Sequence, residues 1–268
     1  AEVIAYGGLA GAGIEQTRDL FGTIRGNISG DKFYNSTCGG YYPCAYDNEA
    51  LKRVWASPVY VNSKVKSPYE MESEIKGLDA GFDIQSDVYN RVGIFASYRQ
   101  GEYEFDVRND YYRVKTGSEI ELDSYLAGLY YRYDKGQAHF TAIAYGGVEK
   151  ADITTKDGVK ADTDGFAYGA SVEGGYRFNL DKSTSVESGV AVSYNAVKYD
   201  DIHDDYKKTA KYDMVRNIEA EAYVKVEKDY QLDEGTAAIY AKPSIVQSFG
   251  KGDVEITGLS KTDGLEDM

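Results

Sequence analysis

Few residues in this chain suit covalent or metal chemistry, and their spacing limits what they can do. One of its two histidines, His203, stands in Asp200-Asp201-Ile202-His203-Asp204-Asp205. That run admits an Asp/His acid–base reading, but it reads better as an acidic, solvated loop. The other, His139, lies beside Phe140 with no serine at a spacing useful for nucleophilic catalysis. Asp152, Asp157, Asp162 and Asp164 are spaced loosely enough to hold calcium weakly in a loop, again a lesser reading than plain solvated charge. Cys38 and Cys44 bracket Gly39-Gly40-Tyr41-Tyr42-Pro43. The spacing is wrong for a CxxC redox or zinc motif, and no histidine is near. A hairpin disulfide in an oxidising compartment fits better, worth about 2 kcal/mol on the chain-entropy model. These residues point to no catalytic centre, no metal and no cofactor.

The elements that would position any site follow from composition and pattern. The 268 residues include 30 basic and 44 acidic side chains, a net charge of −14, so nucleic acid is excluded as a partner. Apolar residues make up 42% and charged residues 28%, which is not a disordered composition. No apolar run is long enough for a membrane-spanning helix. Ala1–Leu9 lacks a basic stretch followed by an apolar one, so a signal peptide was either cleaved or lay far upstream of an internal piece.

The recurring signal is strict alternation. Leu78, Ala80, Phe82 and Ile84 share one face against Gly77, Asp79, Gly81, Asp83 and Gln85. Val92, Ile94, Ala96 and Tyr98 alternate with Gly93, Phe95, Ser97 and Arg99, and Ile218, Ala220, Ala222, Val224 and Val226 with Glu219, Glu221, Tyr223, Lys225 and Glu227. Period two with one polar face predicts half-buried strands. Nine are expected, near 54–64, 74–85, 91–101, 124–133, 137–148, 166–179, 185–197, 217–228 and 236–248. At roughly ten residues each they match tilted bilayer-crossing strands better than the strands of soluble domains. Short connections (Ser86–Asn90, Asp134–Gly136, Leu180–Thr184, Asp229–Gly235) alternate with long acidic ones (Glu102–Asp123, Glu149–Gly165, Lys198–Arg216). Many of the 26 tyrosines fall near strand ends. Both features suit an antiparallel outer-membrane β-barrel, with an antiparallel β-sandwich as the bland alternative.

Val54-Trp55-Ala56-Ser57-Pro58, Gly77–Asp83 and Val92-Gly93-Ile94-Phe95-Ala96-Ser97-Tyr98 resemble the opening of an autotransporter β-domain. Ser124–Tyr133 and Ala142-Ile143-Ala144-Tyr145-Gly146-Gly147 resemble its fourth and fifth strands. The resemblance implies a twelve-stranded transmembrane barrel of the type V secretion kind, which anchors an N-terminal passenger and helps export it. It also implies a helix threading the lumen. The partners it implies are outer-membrane lipid, the chain's own passenger, the barrel-assembly machinery and periplasmic chaperones. It places the barrel in a bacterial outer membrane, with loops and passenger at the cell surface.

Such a helix is expected over about 11–28, where Ile14, Thr17, Phe21, Ile24 and Ile28 recur at helical spacing. Arg18 and Arg25 lie on one face of it and are expected to meet a lumen-facing acidic row of Asp79, Asp83, Glu173, Glu187, Glu219 and Glu221. Residues 1–52 then form the passenger-connecting segment, including the Cys38/Cys44 loop, and 53–268 an incomplete barrel of about nine strands. Single-chain bacterial barrels have even strand counts, so about three strands are expected beyond Met268. The expected work is mechanical rather than enzymatic. A porin-like or adhesin-like barrel acting through its long acidic outer loops is the alternative.

Overall fold

The computed structural model describes residues 2–29, 53–65, 70–87, 89–108, 115–155, 158–181, 183–203, 209–232, 235–251, 253–256 and 262–263. Cys38 and Cys44 lie outside them. Two helices, α1 (Glu2–Arg18) and α2 (Leu20–Ile28), come first. The strands β1 (Val54–Val65), β2 (Glu70–Ser86), β3 (Asn90–Arg108), β4 (Lys115–Lys135), β5 (Ala138–Thr155), β6 (Lys160–Asn179) and β7 (Thr184–Tyr199) follow. Then come β8 (Ile202–His203), β9 (Thr209–Tyr212), β10 (Val215–Leu232), β11 (Gly235–Ala241) and β12 (Ser244–Lys251), and finally β13 (Asp253–Ile256) and β14 (Thr262–Asp263).

Each of β1 to β6 pairs antiparallel with the next, β7 pairs with β10, and β10 pairs with both β11 and β12. β11 takes Val226–Leu232 of β10 and β12 takes Arg216–Tyr223, so the two are one strand broken at Lys242-Pro243. Proline has no amide to donate, and the ladder lapses there. The sheet is a nine-strand curled half-barrel. β8, β9, β13 and β14 make a separate small sheet.

The strands run well past their expected ends, β3 to 19 residues, β4 to 21 and β6 to 20. Two stretches expected as long acidic loops are therefore largely paired strand, with Glu104 opposite Glu119 and Asp152 opposite Asp162. The physical reason is an inversion of phase along each strand. Below the laterally paired row Tyr98–Tyr125–Val148–Phe166, outward side chains such as Phe82, Leu129, Phe140 and Val172 are apolar and exposed. Above it the outward positions carry Glu102, Glu121, Asp152 and Asp162, while inward ones become Tyr103, Ile120, Leu122 and Ile153, all buried. Strand that leaves the lipid turns its polar face to water, and its charged composition then mimics a loop. Tight turns close the opposite end, one of them through Gly136 at φ 63°.

The interior around α2 carries a continuous apolar cluster. Leu20, Phe21, Ile24 and Ile28 are buried in one cluster with Phe95, Leu126, Ile143 and Tyr145 of the wall, and Phe21 and Tyr145 rings lie 5.6 Å apart. The helix also departs from expectation. It begins at Glu2 rather than Gly11 and breaks at Asp19. Gly7, Gly8, Gly11 and Gly13 weaken its intrinsic helical signal. Enclosure by the wall supplies what propensity does not.

Candidate functional site

The site is the lumen and the helix inside it. Tyr212 Oη donates to the backbone oxygen of Tyr6 (2.9 Å) at the end bearing the long hairpins. Arg91 Nη1 donates to the oxygen of Ile28 (2.6 Å) at the end bearing the tight turns. The helix therefore traverses the lumen lengthwise, N-terminus toward the long hairpins.

Three guanidinium groups fix it laterally. Arg25, buried, lies 3.4 Å from Glu173 and 3.4 Å from Glu221, with its Nη2 donating to Ser171 and to Ser193. Arg18 lies 3.1 Å from Glu219 and half-exposed beside Glu15. Arg99 on β3, with no exposed surface, reaches back to the helix. Its Nη1 donates to the oxygen of Gln16 (3.0 Å) and to the Asp19 carboxylate, and Nη2 to Asp79 (2.7 Å). Arg99 thus satisfies carbonyl and carboxylate at the point where α1 ends, where helix carbonyls lack intrahelical donors.

Asp79, Asp83, Glu173, Glu187, Glu219 and Glu221 lie on the helix side of the wall and serve different partners. Glu173, Glu219 and Glu221 meet the helix arginines. Asp79 pairs with Arg99 and accepts from Ser97 (2.5 Å). Asp83 accepts from Tyr130 Oη (2.6 Å) and lies 3.3 Å from Arg91. Glu187 pairs with Arg177 (3.0 Å) and accepts from Tyr223 Oη (3.0 Å). His139 is buried against Glu173 at 3.4 Å, with Tyr223 Oη also 3.4 Å away.

Two residues carry more of the site than the sequence suggested. Arg99 was visible as the basic member of the polar face of its strand, without a sign of what it would touch. Glu149 fell in an expected loop. It is buried on β5, accepts from Tyr199 Oη and from Ser124 Oγ (3.2 Å), and faces Gly13 of α1. Continued alternation through 149–155 was the signal that could have placed it. Asp152, Asp162 and Asp164 stand outward on paired strands rather than in a calcium loop. His203 sits on β8 opposite Thr209.

The family model for the autotransporter beta-domain matches residues 54–265. The chain belongs to the autotransporter β-domain family. Two solved structures share its fold. The beta domain of the Bordetella autotransporter BrkA aligns at TM-score 0.60 and 19% identity, over 76% of this chain and 83% of that one. The transport unit of the autotransporter AIDA-I from Escherichia coli aligns at TM-score 0.58 and 12% identity, over 90% and 81%. No curated protein sequence matches. As an autotransporter β-domain the chain is an outer-membrane translocator for a linked passenger, and the porin-like and sandwich alternatives give way. Translocator domains of this family are generally non-catalytic.

Proposed function

We propose that residues 1–52 are the trailing, passenger-connecting segment and that 53–268 supply the translocator wall around it. The direction of the helix carries this reading. Short turns of outer-membrane barrels face the periplasm and longer connections the outside. Ile28 sits at the tight-turn end and Tyr6 at the other, so whatever precedes the helix emerges at the cell surface with the long hairpins. The lumenal ion pairs of Arg18, Arg25 and Arg99 then hold the chain once export is complete, and the outward apolar band meets lipid. Exposed apolar strands in transit require periplasmic chaperones and the barrel-assembly machinery as partners. The work is positional and not catalytic, and the Cys38–Cys44 pair forms a disulfide in the segment between helix and wall.

An epitope placed ahead of Ala1 should be reached by antibody and protease on intact cells. The same epitope inserted in the Asp181–Ser183 turn should be reached only after the outer membrane is permeabilised. The opposite pattern would overturn the orientation.

A further inference from the structure

The wall pairs most of its acids with cations of its own. Asp79 on β2 meets Arg99 on β3 (2.7 Å), and Asp83 meets Arg91 (3.3 Å). Glu187 on β7 meets Arg177 on β6 (3.0 Å), and Glu173 on β6 meets His139 on β5 (3.4 Å). Each of these pairs joins adjacent strands. Arg177 stands directly opposite Glu187, while Arg99, Arg91 and His139 stand two residues along from the position opposite their acid. Cross-strand neighbours at those offsets are within reach of long side chains. A side chain at Gly175 would collide with the His139 ring, so the imidazole lies over that glycine, beside Glu173. A fifth pair comes from the Lys242-Pro243 step. Lys242 Nζ lies 4.0 Å from the centre of the Tyr223 ring and reaches Glu221 (3.0 Å). The sheet, rather than the helix, brings all five together.

Arg25 of α2 joins two of these pairs from outside. It lies 3.4 Å from Glu173 and 3.4 Å from Glu221, no closer than His139 and Lys242 lie to the same acids. His139 Nε2 can serve Glu173 as a neutral N–H donor or as an imidazolium. Glu219 differs: among the described residues its cation is Arg18 of the helix, at 3.1 Å. We infer that His139 and Lys242, together with Arg91, Arg99 and Arg177, are standing counter-ions of the lumen. They keep its acids engaged while the exported chain is passing and no helix arginine has arrived. A bare carboxylate on the wall would attract each basic side chain in transit, more strongly in a narrow lumen than in open water. An acid already held by a neighbouring cation does not. The wall cations are in this sense specificity-determining residues for translocation: they let basic stretches of a passenger go by as fast as neutral ones. The inference rests on the translocator reading proposed above.

The test uses the chain supplied with further strands after β12 and with a passenger ahead of Ala1, whose linker is either uncharged or carries arginines. Pulse–chase labelling measures how fast that passenger becomes open to protease at the cell surface. Wild-type protein should pass both linkers at similar rates. His139→Leu with Lys242→Met should slow the arginine linker by about tenfold and leave the uncharged one near wild type. Adding Glu173→Gln and Glu221→Gln should restore the rate, because those two acids are then gone. Lys242→Arg should behave as wild type. Equal slowing of both linkers would mean a purely structural role, and that result overturns the counter-ions. So does an arginine linker that the double variant does not slow, or that the wild-type wall already slows. Should the double variant not insert, Lys242→Met compared with Lys242→Met plus Glu221→Gln decides, with an expected difference of about threefold. If the uncharged linker never brings its passenger to the surface through the wild-type wall, the translocator reading fails first, and the counter-ions with it.

Discussion

Arg99 shows how much one lumenal residue holds. Its guanidinium has no exposed surface and joins Asp79, also fully buried, to Asp19 and the Gln16 carbonyl of the helix. Removing one partner of a buried pair strands the other charge, so Arg99→Met should destabilise the folded protein by about 3–5 kcal/mol. Replacing both groups, as Arg99→Met with Asp79→Leu, should recover much of that loss. Urea titration of the heat-modifiable gel band, in protein supplied with further strands after β12, measures both. Equal midpoints for the single and double variants would show that Asp79 does not depend on Arg99. The cysteines allow a simpler test. Unreduced protein should be lighter by two hydrogens than its reduced form on mass spectrometry, and ready labelling of two free thiols in the folded protein would refute the Cys38–Cys44 bond.

At the scale of an element, each strand carries two environments in series. Ala144, Val192 and Ala222 point outward below the aromatic row, so arginine at any of them should cost about 2–4 kcal/mol. Glu121→Arg, outward but above that row, should change stability by less than about 0.5 kcal/mol. Alternation alone would class Ser193→Arg and Glu221→Arg as tolerated lumenal changes. The structure revises this, because both would bring a second cation against Arg25. Thermal midpoints of the six variants should fall into these groups. The tight turns have their own chemistry. Asp87 accepts backbone N–H bonds from Tyr89 and Asn90, and Asp181 from Ser183 and Thr184, which holds both carboxyls below the ordinary aspartate value. Their stabilisation is present above the unfolded value and is lost as pH falls through the lower folded value. Carbon-detected NMR should find both midpoints below those of the same turns in unfolded peptides.

For the molecule as a whole, the decisive feature is an open sheet. Among the described residues β1 pairs only with β2, and β12 only with β10. An unpaired edge in hydrocarbon costs several kcal/mol for each unsatisfied backbone group. The 268-residue chain alone should therefore fail heat-modifiable gel shifts and remain protease-sensitive in vesicles. Supplying further amphipathic strands after β12 should restore both. Protease resistance of the 268-residue chain as a monomer would mean that residues outside the described ones satisfy those edges.

Alternation over Leu78–Ile84 and Ile218–Val226 determined the strands, their lipid-facing sides and the inward direction of Asp79, Asp83, Glu173, Glu187, Glu219 and Glu221, because a period of two is a local property of extended backbone. The helical spacing of Phe21, Ile24 and Ile28 likewise marked α2. Tertiary structure decided the rest. It extended the strands through acidic stretches, since whether an outward glutamate meets lipid or water depends on its height above the aromatic row. It carried α1 through four glycines to Glu2, because Phe105 and Tyr199 occupy the space that side chains at Gly8 and Gly13 would need. It assigned each lumenal acid its partner, Asp79 to Arg99 and Glu173 to Arg25. Pairings across 20 or more positions of chain are set by how strands and helix are stacked in space, and no local pattern encodes that.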